Sequence, residues 1–187
     1  MPPDQPEDDD SLLRRIARGE EPALAQLISR HGRGVAAVAT RYLGSASEAE
    51  DVVQEAFFRV WQHAARFDPA RAKASSWIYA IAVRLCIDRL RKLKLRRWIG
   101  LGGGLDVDFD SPDPGPGSET TVGDRQALAQ TRSAIAALPD RQRLAILLSA
   151  VAGLDNARIA ETLDITPGAV EQLLVRARRS LRGLGLR

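Results

Sequence analysis

Residues 156–175 read NARIAETLDITPGAVEQLLV, and the spacing of their apolar side chains decides the fold. Ile159, Leu163, Ile165, Val170 and Leu173 fall at the offsets that let two short helices pack at a steep angle, and Ala160 is small enough for the crossing point. Thr166-Pro167 provides an N-cap followed by proline at the first helical position, which starts the second helix. The turn position commonly given to glycine is Asp164, one of the few side chains that tolerates left-handed backbone. The stretch therefore predicts a helix-turn-helix. On its second helix Val170, Leu173, Leu174, Ala177 and Leu181 point inward, which leaves Gly168, Glu171, Gln172, Val175 and Arg176 outward, with Arg178, Arg179 and Arg182 beyond. Outward residues near the start of such a helix reach base edges in the major groove, and later arginines fall beside phosphates. A helical hairpin with a solvated basic face is the competing reading. Offsets, small residue, cap and trailing arginines together favour DNA.

Working outward, a helix is expected near Asp124–Ala137, stopped by Leu138-Pro139. Asp140 then caps a helix carrying Leu144, Leu147, Leu148 and Val151, which ends at Gly153. Upstream, residues 100–118 read GLGGGLDVDFDSPDPGPGS, with no sustained period and too little apolar surface to offset ordering entropy. This flexible acidic Gly/Pro segment sets the organisation: an acidic, disordered N-terminus at 1–10, a first domain at 11–98, a linker at 99–123 and a second domain at 124–187. The fold class is all-α, with two small helical domains.

The first domain reads as consecutive helices. Ser11 caps a short one, and Pro22 fits the first turn of another running to about Arg30. Gly32 and Gly34 break the chain before a helix with Val35, Val38, Ala39 and Tyr42 on one side, which Gly44 closes. Ser47 and Glu50 form a capping box for a helix whose buried stripe is Val53, Ala56, Phe57, Val60 and Trp61. After Phe67-Asp68-Pro69 and a loop at 70–74, Ser75 or Ser76 caps a long helix through about Arg97. Its stripe is Trp77, Ile78, Ile81, Ala82, Leu85, Leu90 and Leu93, and its other face is basic.

Charge distribution says more than the net value of +3 over 187 residues. Residues 11–98 hold 17 basic and 8 acidic side chains, and residues 124–187 hold ten and six. Between them 99–123 carries five acids and no base. Two basic bodies on an acidic connector suit a polyanion gripped at two places. No apolar stretch is long enough to span a membrane, and the N-terminus is not a signal peptide, so a cytoplasmic protein without membrane insertion is expected. One cysteine, Cys86, and two scattered histidines, His31 and His63, offer neither a disulfide nor a metal site. Cys86 lies among Ile81, Leu85 and Ile87, which reads as a buried structural thiol. No nucleophile–base pair, paired carboxylates or phosphate loop points to catalysis or a cofactor.

Three stretches carry a resemblance. The first is Ala49-Glu50-Asp51-Val52-Val53-Gln54-Glu55-Ala56-Phe57, continuing to Val60-Trp61. The second is Phe67-Asp68-Pro69 through Ser76-Trp77-Ile78-Tyr79-Ala80-Ile81-Ala82, then Asp88-Arg89-Leu90-Arg91. The third is Leu138-Pro139-Asp140-Arg141-Gln142-Arg143, then Gly153-Leu154, Ile159-Ala160 and Arg176-Ala177-Arg178-Arg179-Ser180-Leu181-Arg182. In their order and spacing they resemble a bacterial RNA polymerase sigma factor of the extracytoplasmic-function (ECF) class, over nearly all of 24–184.

The resemblance implies a promoter-specificity factor with a region-2-like first domain and a region-4-like second domain. It implies that Glu50, Asp51, Gln54 and Glu55 dock on the clamp helices of core RNA polymerase, and that the second domain meets the flap. Plain complementation of the helix dipole is the other reading of those acids. The loop residues Arg71, Lys73, Ser75 and Ser76, with Arg84, Arg89, Arg91, Lys92, Arg96 and Arg97, match the part that melts and reads the minus-10 element. Melted strands present phosphates and unstacked bases, which a basic groove and a base-holding loop accommodate. Trp61 and Trp77 lie on the apolar stripes and read as core. Thr166, Gly168, Glu171, Gln172, Val175, Arg176, Arg178 and Arg179 match the minus-35 reader. Here the chain departs from the family, which commonly carries Gly-Thr-Val-Lys/Arg-Ser where this sequence has Gly168-Ala169-Val170-Glu171-Gln172. The linker is either an RNA mimic or a plain tether. An anti-sigma factor is an expected partner by resemblance, and a sigma-like decoy or an ordinary helix-turn-helix regulator are the alternatives.

Overall fold

The computed structural model describes residues 7–99 and 122–183, without the side chains of Arg97 and of residues 122–127. The expected linker at 100–118 and the first six residues lie outside the described residues. Eight α-helices follow in order among the described residues: α1 Asp9–Ile16, α2 Glu21–Leu43, α3 Ala46–His63, α4 Ala74–Trp98, α5 Val122–Ala136, α6 Asp140–Ala150, α7 Asn156–Leu163 and α8 Pro167–Gly183. A short 3-10 turn at Ala64–Arg66 follows α3.

Four local expectations are corrected. The acidic N-terminus is helical from Asp9, because the Asp8 carboxylate accepts from the Ser11 amide at 2.7 Å and caps α1 three residues before the expected Ser11 cap. Leu12, Leu13 and Ile16 then give α1 a fully buried face. Secondly, α2 runs unbroken through Gly32 and Gly34. Each helical glycine costs about 0.5–1 kcal/mol, which burial of Val35, Val38, Ala39 and Tyr42 outweighs. Gly34 is required by packing: a methyl there would run into the Tyr79 hydroxyl of α4. Thirdly, α3 is capped by Ser45, whose hydroxyl accepts from the Glu48 amide at 3.4 Å, two residues before the expected Ser47. Finally, Asp140 is the first residue of α6, and Pro139 stands at its cap.

The first four helices bury one another, but the faces of α3 and α4 are turned from the expected stripes: Val52, Tyr79, Val83 and Cys86 are buried, whereas the expected Val53, Trp61, Trp77, Ile81, Leu85, Leu90 and Leu93 are half-buried. Val52, Ala56, Phe57 and Val60 of α3 face Ile78, Tyr79, Ala82, Val83 and Cys86 of α4 across a common core with α2. Burial pushes the Cys86 thiol up to about 12, the behaviour of an inert structural cysteine. Trp77 and Trp61 are half-buried against this core, with Trp77 tilted on Phe67 at 5.5 Å. In the second body α6, α7 and α8 enclose Leu144, Leu147, Leu148, Ile159, Val170 and Leu174. Asp164 adopts φ +54°, the left-handed turn expected between α7 and α8, and Thr166 Oγ1 accepts from the Ala169 amide at 3.2 Å.

The two bodies are docked. α7 lies on α4 and α6 on α2, so the buried residues form one continuous cluster. The Arg143 guanidinium of α6 stacks 4.3 Å from the centre of the Tyr42 ring of α2. Lys94 of α4 pairs with Asp140 at 3.6 Å.

Candidate nucleic-acid interface

Three surfaces gather the sequence-derived candidates. The first lies between α3 and α4, where an open groove of about 680 Å³ is lined by Asp51, Gln54, Glu55, Phe58, Arg59, Arg89 and Lys92, among others. Glu50 is exposed on the same helix. The acids are not equivalent. Asp51 and Glu48 clamp the Arg89 guanidinium, which raises the Arg89 pKa, chiefly through the Glu48 hydrogen bond. Glu55 pairs with Arg59 one turn on at 2.7 Å. Arg89, grouped by sequence with the minus-10 contacts, is thus tied to the acidic helix. Sequence reasoning missed Phe58, which is 55% exposed in this groove. Its signal was legible, because Phe58 falls off the apolar stripe onto a charged face.

The second surface is the loop before α4 and the basic face of that helix. Asp68 organises the loop, its carboxylate accepting from the Ala70 amide at 2.9 Å and its carbonyl from the Arg71 amide at 3.1 Å. Arg71 and Lys73 are exposed; Ser75, half-buried, and Ser76 lie within the first turn of α4, which starts at Ala74, and not at its cap or in the loop as expected. Ser76 is 1% exposed, and its hydroxyl has no hydrogen-bond partner among the described residues. Arg84, Arg91, Lys92 and Arg96 are exposed along α4, whereas the Arg97 side chain lies outside the described residues. Loop and second body touch: the Lys73 amide donates to the Glu161 carboxylate at 3.2 Å, and the Thr162 hydroxyl reaches the Ser76 carbonyl at 3.4 Å.

The third surface is the outer face of α8. Thr166, Gly168, Glu171, Gln172, Val175, Arg176, Arg178 and Arg179 are all exposed, while Val170, Leu174 and Ala177 are buried. The inward–outward division is the one the helical period predicts. Val175 stands 55% exposed amid charge, suited to contact with an apolar base edge such as the thymine methyl.

Among the described residues no group of three or more His, Cys, Asp or Glu side chains could hold a metal ion, and no helix is long and apolar enough to cross a membrane.

Comparison with known proteins places these surfaces in a family. The Sigma-70 region 2 model matches residues 27–96, and the Sigma-70 region 4 model matches residues 128–181. The ECF RNA polymerase sigma factor SigW of Bacillus subtilis is 32% identical, over 91% of this chain and 92% of its own. The RNA polymerase sigma factor CnrH of Cupriavidus metallidurans is 31% identical, over 96% of this chain and 95% of its own. The structure of CnrH in complex with the cytosolic domain of CnrY aligns with a TM-score of 0.72 at 26% identity, covering 95% of this chain and 97% of that one. The sigma factor RpoE of Bartonella quintana, solved with the anti-sigma factor NepR, shares the fold with a TM-score of 0.68 at 21% identity, over 86% of this chain and 94% of that one. With both sigma regions in order and relatives matching along nearly its whole length, the chain belongs to the ECF sigma factors of bacterial RNA polymerase.

Proposed function

We propose that this sigma factor joins core polymerase through the α3–α4 groove and carries it to two promoter elements, one read by each body. Glu50, Asp51, Gln54 and Glu55 supply the acceptors for a basic partner surface, and Phe58 supplies an apolar anchor among them. The loop residues Arg71 and Lys73 and the first turn of α4 at Ser75 and Ser76, with Arg84, Arg91, Lys92 and Arg96, hold the melted minus-10 strand. Arg89 acts here as a positioning residue, fixing α4 against α3. Thr166, Gly168, Glu171, Gln172 and Val175 meet the minus-35 bases, and Arg176, Arg178 and Arg179 meet the flanking phosphates. The work is binding and strand separation in the cytoplasm, with no bond chemistry of its own. The observation that carries this reading is the pairing, on one chain, of two basic bodies that each present an exposed face. An anti-sigma protein is the proposed restraint, supported by the complexes in which CnrH and RpoE were solved.

Transcription in vitro with purified core polymerase tests the whole reading. The chain with core should start specific, salt-sensitive transcripts from a genomic promoter library, while the chain alone binds duplex weakly. A library yielding no promoter-dependent transcript overturns it.

A further inference from the structure

The end of α4 carries an apolar patch that promoter binding leaves unused. Leu95 is 56% exposed, Trp98 84% and Ile99 48%. Their spacing of three and four residues sets them on one side of the helix. The Ile99 amide still donates to the Leu95 carbonyl at 3.1 Å, so the helical pattern holds to the end of the patch. A contiguous apolar patch ringed by charge marks a contact surface.

Cations frame this one, where residues 91–99 read RKLKLRRWI. Arg91 stands one turn before Leu95 and Lys94 one turn before Trp98, while Lys92 and Arg96 flank the Ile99 side; all four are exposed. Two have acidic neighbours, Arg91 with Asp88 at 3.9 Å and Lys94 with Asp140 at 3.6 Å. Both pairs are long and exposed, and give way at little cost. A tryptophan and two aliphatic side chains among four cations suit the interface of a lipid bilayer. The indole sits at headgroup level, the aliphatic groups lie below it, and the long basic side chains reach back to anionic headgroups. Nucleic acid would use the cations and stack on the indole, but it offers Leu95 and Ile99 little apolar surface to bury against.

We propose that the Leu95–Trp98–Ile99 face of α4 docks on an anionic lipid bilayer, as a peripheral contact with the membrane surface. Three side chains make a shallow anchor, so the docking is reversible and depends on headgroup charge. It needs only the patch and its cations, and stands whether or not α4 holds the minus-10 strand. Where α4 does hold that strand, Arg91, Lys92 and Arg96 serve one polyanion at a time, and sigma factor on the bilayer is withheld from the promoter.

Flotation of the full chain with vesicles tests the docking. The vesicles are phosphatidylcholine with about 30% phosphatidylglycerol, and phosphatidylcholine alone is the comparison. The parent should bind the anionic vesicles at least about tenfold more tightly than the neutral ones, and release from them in ~0.5 M salt. Leu95→Gln with Trp98→Gln changes two exposed side chains and no charge. This double variant should weaken vesicle binding at least about fivefold. It should keep the parent's affinity for a fluorescent oligothymidylate of about 12 nucleotides. A parent that does not float with the anionic vesicles overturns the docking. So does a double variant that floats like the parent, because the cations then act without the patch. Equal losses of vesicle and oligonucleotide binding overturn it too, and give the patch to nucleic acid.

Discussion

Glu171 and Gln172 stand exposed in the first turns of α8, where the side chains of a recognition helix meet base edges. In the proposed reading a carboxylate there would accept from cytosine N4 and repel phosphate, narrowing choice at the expense of general affinity. Glu171→Lys or Gln172→Ala should change the preferred upstream element in a randomised-promoter selection while co-purification with core polymerase is retained. An unchanged preference would reassign the reading face. At the other end of the chain, Asp9 is clamped by His31 at 2.7 Å and Arg30 at 2.8 Å. The His31 hydrogen bond, aided by Arg30, holds its carboxyl below the ordinary range against the opposing effect of burial. A lowered folded-state pKa stabilises the fold above the ordinary carboxyl value of about 3.9, and that contribution is lost as pH falls through the lowered value. Asp9→Asn should therefore flatten the acid limb of a stability–pH curve and remove about 0.5–1 kcal/mol near neutrality. Urea unfolding across the pH range measures both.

At the scale of the element, two helices carry tests of why they persist. The α7–α8 turn places Asp164 in left-handed backbone, where a Cβ is a burden. Asp164→Gly should stabilise the second body by about 0.5 kcal/mol and Asp164→Val destabilise it by about 1–2 kcal/mol, read from thermal melts. In α2, Gly34→Ala should cost about 1–3 kcal/mol through collision with Tyr79. Tyr79→Phe removes the colliding hydroxyl, so the double variant should recover most of the loss. These elements also show what a sequence discloses. The helix-turn-helix was legible to the residue, because cap, proline, crossing alanine and apolar period all point one way. The continuity of α2 was not, because a glycine that breaks an isolated helix is also the residue that lets a neighbouring tyrosine approach. The α3 start slipped by two residues because Ser45-Ala46-Ser47-Glu48-Ala49-Glu50 holds two overlapping Ser-x-x-Glu frames, and local chemistry does not choose between them. Among the candidate surfaces, the outer face of α8 followed from its period, whereas the pairing of Arg89 with α3 depended on how two helices meet.

For the whole molecule, the docking of the two bodies was beyond the reach of local pattern. Lys73 and Glu161 stand 88 residues apart, and their meeting depends on shape across a connector that the sequence reads as an RNA mimic or a plain tether. Each body alone has the period, caps and core of an independent unit; the stacking of Arg143 on Tyr42 leaves no periodic trace.

Cys86 offers a consequence of another kind. It is the chain's one thiol, 1% exposed in the core shared by α2, α3 and α4, and burial pushes its pKa up to about 12. A disulfide reagent such as Ellman's needs both access and thiolate, and the folded chain supplies neither. Colour release should therefore run at the rate or population at which this core opens, making the native protein its own stopwatch. Bound core polymerase would slow that clock in proportion to the stability it lends, with no label added.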